Sequence, residues 1–171
     1  MTTFDQLLMD LSAKVKKEIN EMDTFLKSLP TLKFKRTIDK KSSKISYISA
    51  DYGVSYLIKL KNNHQEFGWY FIHNREKNIW YRKPDYMTNV FDEIDPDIAG
   101  RLFNSLMECT SCRDVDNCGR IPYEYKKQKK ITHYGRLVLG LQKNNFDDVK
   151  EFFRYLETFC QHKKNDSNNP I

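Results

Sequence analysis

Three cysteines in one short polar stretch, Cys109, Cys112 and Cys118, carry the most specific chemistry in this sequence. Their spacing is C-x2-C-x5-C. The first pair has the grip of a zinc knuckle, in which two closely spaced thiolates hold one tetrahedral ion. Such a site needs a fourth ligand: His133 is the first candidate, and Cys160 with His162 the second. Nothing nearby resembles a general base on a metal-binding helix, so zinc here is expected to stabilise the fold rather than to catalyse. Two other readings compete. Unliganded, the thiols behave as small hydrophobes. Alternatively Cys109 and Cys112 pair as a redox switch, with Arg113 and Arg120 favouring the thiolate.

The second candidate is a set of rings. The chain holds 11 Phe, 10 Tyr and 2 Trp, and aromatics make up 13% of it. In strands that alternate inward and outward positions, these rings fall on both faces. Phe67, Trp69 and Phe71 oppose Gly68, Tyr70 and Ile72, while Ile79 and Tyr81 oppose Trp80 and Arg82. A half-covered face would form a cleft with apolar walls and hydroxyl or indole handles, suited to a small molecule or a peptide. The residues expected to line it are Tyr47, Tyr56, Trp69, Tyr70, His73 and Trp80. The competing reading is that both faces are covered and the rings are core.

A third candidate is charge. Lys33, Lys35, Arg36, Lys40, Lys41 and Lys44 cluster around one turn, and Lys126, Lys127, Lys129 and Lys130 around another. Lysines beside aromatics can hold phosphates while rings stack bases, so nucleic acid is an alternative partner. Lysines also protect sheet edges, which is the plainer reading. The net charge of +6 favours anionic partners in general. Phosphate-cradling glycine loops, dinucleotide fingerprints, G-x-S-x-G and H-E-x-x-H are all missing. The acidic group Asp92, Glu93, Asp95 and Asp97 lacks the glycine and spacing of a calcium loop. The reading therefore leans away from an enzyme.

The elements that must position these residues follow from periodicity. Residues 3–29 predict one long amphipathic helix, because Phe4, Leu8, Leu11, Val15, Met22, Phe25 and Leu29 alternate steps of four and three, with Glu18 breaking the series. Its wide stripe predicts packing on the sheet, with a seam to a second copy as the alternative. Residues 32–38, 44–50, 54–60, 67–73 and 78–83 alternate as strands between short polar turns, which predicts an antiparallel meander of about five strands. Residues 61–65 read as a polar loop. Asp95-Pro96 starts a helix as N-cap and first position. Residues 121–125 and 131–141 predict a hairpin around the lysines at 126–130. Asn145 caps a last helix with Phe146, Val149, Phe152, Phe153, Leu156 and Phe159 on its inner face.

The fold class expected is thus α+β: N-terminal helix, five-stranded antiparallel meander, then helix, β-hairpin and C-terminal helix. A chain of 171 residues is one domain by length and buries about 70% of its unfolded surface. Residues 1–162 are expected to form that domain and 163–171 a polar, frayed tail. The opening Met1-Thr2-Thr3-Phe4-Asp5-Gln6-Leu7 has no basic n-region, and no apolar run is long enough to span a bilayer. A cytoplasmic protein with reduced thiols and no membrane contact is the expectation. The function read from these features is a non-enzymatic intracellular binding module with an aromatic-lined sheet surface. A zinc-stabilised protein and a basic nucleic-acid binder are the alternatives.

Overall fold

Ser12 decides where the first long helix begins. Its backbone is extended, and its hydroxyl accepts the Val15 N–H at 3.4 Å, the bond of an N-cap. In the computed structural model, which describes residues 3–52, 54–61, 64–72, 91–106, 121–132, 138–141 and 146–167, the predicted single helix is therefore two. α1 spans Thr3–Leu8 and α2 spans Ala13–Lys27. The break costs no apolar burial: Phe4, Leu8, Leu11, Val15, Ile19, Met22, Leu26 and Leu29 are all buried, on both sides of it. The stripe is thus consumed inside the chain, as the wide pattern predicts.

Four strands follow in sequence: β1 (Lys35–Asp39), β2 (Lys44–Ser49), β3 (Val54–Lys61) and β4 (His64–Ile72). Each pairs antiparallel with the next. The β1–β2 turn is held by Asp39, whose carboxylate accepts from Lys41 N, Ser42 N and Ser42 Oγ at 3.0, 3.3 and 2.6 Å. The Ser42 hydroxyl foremost holds that carboxyl below its usual range. The predicted loop at 61–65 is shorter than expected. A register shift between Lys59 and Leu60 lets β3 run to Lys61 and β4 start at His64.

Among the described residues the sheet has five strands, in the order β1-β2-β3-β4 and then β7 (Val138–Leu141), and it is not a five-strand meander. The predicted fifth strand, residues 78–83, lies outside the described residues. The fifth place is taken by β7, which pairs antiparallel with β4. The predicted strand over residues 131–141 is accordingly split. Its first part belongs to a separate two-stranded hairpin, β5 (Ile121–Tyr125) with β6 (Gln128–Thr132). α3 (Pro96–Asn104) begins as predicted, with the Asp95 carboxylate accepting from Asp97 N and Ile98 N. α4 (Phe146–Ser167) stays helical beyond His162, where the polar tail was expected to start. Its predicted cap, Asn145, lies outside the described residues.

One cluster of buried residues runs from α1 to α4. Inner positions Ile45 and Tyr47 of β2 and Val54, Tyr56 and Ile58 of β3 are nearly or wholly enclosed. Phe153 of α4 meets Phe34 and Tyr56 edge-on, at 5.3 and 6.0 Å between ring centroids. Such geometry adds about 0.5–1.5 kcal/mol to the apolar burial itself. A second group of rings joins α3 to the hairpin: Phe91, Phe103 and Tyr125 lie 5.4–6.2 Å apart, and Tyr125 Oη donates to Pro96 O at 2.9 Å. α3 is tied to α4 by two parallel bonds from Arg101 to Asp148, at 2.8 and 2.7 Å. The mixed α+β class follows.

Candidate functional site

The outward sides of α2 and α4 enclose an open groove of ≈ 540 Å³. α2 supplies Lys17, Asn20, Glu21, Thr24 and Phe25, which fall at helical spacing on one face. α4 supplies Lys150 and Arg154, one turn apart. The inner residues of both helices explain the orientation. Burying Ile19, Met22 and Leu26 on one side and Val149, Phe152, Phe153 and Leu156 on the other leaves the polar stripes to meet at the surface. Phe25 is half-buried at the groove floor, with the Arg154 guanidinium 5.4 Å from its ring centroid. That contact holds the cation over an apolar patch.

The groove lining is mainly cationic, and its cations are paired from their own helices. Three cations line it against one carboxylate, Glu21. Each cation has a neighbour on its own helix: Lys17 with Glu21 at 3.8 Å, Lys150 with Asp147 at 3.3 Å and Arg154 with Glu151 at 3.0 Å. The exposed Lys17 and Arg154 pairs are worth only about 0.3–0.5 kcal/mol each, so an incoming anion displaces them at little cost, while the Lys150 side chain is 20% exposed and held closer to the helix. Asn20 and Thr24 add neutral donors and acceptors along the same wall. No family model, curated protein or solved structure matches this chain. What the groove takes must be argued from its own side chains.

The residues singled out from sequence fall elsewhere. Tyr47 and Tyr56 are fully enclosed, paired in register and 6.1 Å apart between ring centroids. The Tyr47 hydroxyl donates to Asp23 Oδ1 at 2.9 Å. Burial, with Asp23 adding to it for Tyr47, pushes both phenols well above their ordinary range. These two rings are core. Trp69 and Tyr70 lie in β4, whose backbone register sets them opposite Leu57 and Tyr56. His73, Trp80, Cys109, Cys112, Cys118 and His133 lie outside the described residues. Cys160, an alternative zinc ligand, is buried on the inner face of α4. Its companion His162 is exposed. Among the described residues no three His, Cys, Asp or Glu side chains gather where a metal ion could be held.

Two further polar nodes are structural. Asp23 accepts from Lys27 Nζ, Arg36 Nη1 and Tyr47 Oη at 2.7, 2.9 and 2.9 Å, joining α2 to β1 and β2. Arg36 in turn lies 3.8 Å over the Phe4 ring, which draws α1 into the same node. Glu157 of α4 accepts from Thr31 N and Leu32 N at 2.6 and 2.9 Å, and the Leu32 carbonyl accepts the Ser49 hydroxyl. The chain between α2 and β1 is thereby fixed to the last helix. Arg36, first counted with the basic patch, is thus engaged within the fold, while Lys33, Lys35, Lys40 and Lys41 are exposed.

Proposed function

We propose that this protein is a non-enzymatic binding module whose α2–α4 groove receives an acidic peptide segment. The observation that carries the reading is the convergence of Lys17, Lys150 and Arg154 on one groove whose lining holds one carboxylate, Glu21, with Asp147 and Glu151 pairing from outside it. Its volume, ≈ 540 Å³, falls within the range of about 300–1,000 Å³ common for ligand sites. Phe25 offers an apolar contact for the stem of an acidic side chain, and Asn20 and Thr24 can bond a peptide backbone. Of the residues expected to line a sheet surface, Tyr47 and Tyr56 are core, and this reading takes the helices as the binding surface instead. Among the described residues no helix is long and apolar enough to cross a membrane.

A structural zinc at Cys109, Cys112 and Cys118, with His133 as the fourth ligand, is a separate reading carried by the cysteine spacing alone. The groove reading is tested by fluorescence anisotropy with a labelled glutamate-rich peptide. Expected is binding that weakens as salt rises and that is lost on joint reversal, Lys150→Glu with Arg154→Glu, while the melting temperature changes little. Undiminished binding by the reversed protein would remove the groove from consideration.

A further inference from the structure

The β5–β6 hairpin carries its charge where charge is least expected. Lys126 and Lys127 form its two-residue turn, and both have positive φ, 45° and 65°. That is the backbone of a type I′ turn, which favours Asn-Gly because a Cβ is disfavoured in the left-handed region. Two lysines held there keep two ammonium groups at the tip against local preference. Lys126, Lys127 and Lys129 are all exposed, and Lys129 has only a loose 3.8 Å pairing with Glu124.

Beneath the turn lies a cavity of ≈ 180 Å³ lined by Gly100, Phe103, Asn104, Tyr125, Lys126 and Gln128. Gly100 is a second residue that its own element disfavours. It sits in the interior of α3, where only proline suits a helix less well. Packing does not require it: a Cβ at this position would come no closer than 4.0 Å to another group, the Cε1 of Tyr125, which is ordinary contact. Gly100 and Tyr125 both line the cavity, so the missing side chain keeps it open. At this volume the cavity is below the usual range for a whole small molecule and fits one ring or one side chain.

The walls state what that group should be. Phe103 and Tyr125, both nearly buried, make the lining aromatic, while Asn104 and Gln128 bring two residues whose carboxamides carry a donor and an acceptor each. Paired donors and acceptors match the edge of a nucleobase, and rings tolerate any base by contact with its face. Lys126 in the lining and Lys127 beside it on the turn match phosphates on either side of it. An acidic peptide would satisfy the lysines but would bring no planar group to the rings and carboxamides. We propose that the cavity between α3 and the β5–β6 hairpin receives one base of a single-stranded nucleic acid, with Lys126 and Lys127 on the flanking phosphates. This site is independent of the α2–α4 groove.

The test is anisotropy of the full chain with a labelled single-stranded oligonucleotide, with polyglutamate as competitor and three variants. Gly100→Leu fills the cavity from the helix side and is expected to weaken binding about tenfold or more without lowering the melting temperature. Should leucine disturb the fold, Gly100→Ala gives the smaller change in the same direction. Lys126→Asn with Lys127→Gly removes two charges while favouring the turn. Its plot of log binding constant against log salt should flatten by about 1.4, at roughly 0.7 per phosphate for single strands. Lys150→Glu with Arg154→Glu should leave oligonucleotide binding unchanged, which separates this site from the groove. The proposal is overturned by absence of binding at low salt, or by equal binding of the Gly100 variants. Competition by polyglutamate at matched charge would also overturn it, since that marks an acidic-peptide surface.

Discussion

Replacing Asp23 by alanine should be among the most damaging single changes outside the apolar core. The carboxylate is 12% exposed and receives three donors. Loss of the bond from the wholly buried Tyr47 hydroxyl removes an interaction with a charged acceptor, worth roughly 1.5–3 kcal/mol. Arg36, 22% exposed, is left with its ring contact to Phe4 but without its counter-ion, adding about 1–2 kcal/mol. Lys27 is 46% exposed and turns to water at a cost of about 0.5 kcal/mol or less. The expected total for Asp23→Ala is about 3–5 kcal/mol. Asp23→Asn keeps an acceptor for Tyr47 and loses mainly the charge, so it should cost about 1–2 kcal/mol. Urea denaturation at fixed pH, read as a change in midpoint with unchanged slope, measures both. In a cycle with Tyr47→Phe, the coupling between the two positions should reach about 1.5 kcal/mol. A cost below about 1 kcal/mol for alanine, or equal costs for alanine and asparagine, would refute the assignment of Asp23 as the buried node.

Alkali should unfold the protein in a way that reports Tyr47 and Tyr56. Both phenols are raised in the fold, so above about pH 10 the unfolded chain releases protons first and stability falls, by up to about 1.4 kcal/mol per pH unit for each ring. Below that pH their contribution is fully present. Tyrosinate absorbance should therefore show a step that coincides with loss of helical circular dichroism, and smooth ionisation with the fold intact would contradict the burial of these rings. Lys126→Asn with Lys127→Gly should stabilise the hairpin by about 1 kcal/mol, raising the melting temperature by about 2–4 °C. A lowered melting temperature would mean that the turn is not of the I′ kind. On the alternative reading of the cysteine cluster, metal analysis of protein purified without chelator finds about one zinc per chain, lost in Cys112→Ser. A metal-free native protein would leave the cysteines as ordinary thiols.

The parts of the fold legible in the sequence are those set by local pattern. Alternation placed Val54, Tyr56, Ile58 and Leu60 on one buried face. Asp95-Pro96 marked the start of α3, and a 3.6-residue stripe marked the inner side of α4. What was missed depends on partners far away or on weak signals. The stripe over Leu8, Leu11 and Val15 keeps helical spacing across the break, and the Ser12 cap has valine where a capping box would have glutamate. The tight turn at Lys126 and Lys127 lacks the Asn-Gly signature. β7 gives no local hint that its neighbour is β4. The groove was not read from sequence: Lys17, Asn20, Glu21 and Thr24 have the pattern of any solvated helix face, and only the packing of α2 beside α4 brings Lys150 and Arg154 to them.

The order of strands has a consequence for how the chain comes to be folded. β1 to β4 pair with their neighbours in sequence and can form as soon as they are made. The β4–β7 pairing instead joins positions about 70 residues apart, such as Trp69 with Gly140. At roughly 5–20 residues per second, a ribosome takes several seconds to deliver β7 after β4 has emerged. α4, which puts Phe153 over Phe34 and Tyr56 and grips residues 31 and 32 through Glu157, arrives later still. Throughout that interval the nascent meander has neither β7 on β4 nor Phe153 on its apolar face. The lysines of the first hairpin, which hinder edge-to-edge association, are already present when this vulnerable stage begins. Chains truncated before residue 146 should accordingly accumulate as aggregates and as clients of the chaperones that meet emerging polypeptides.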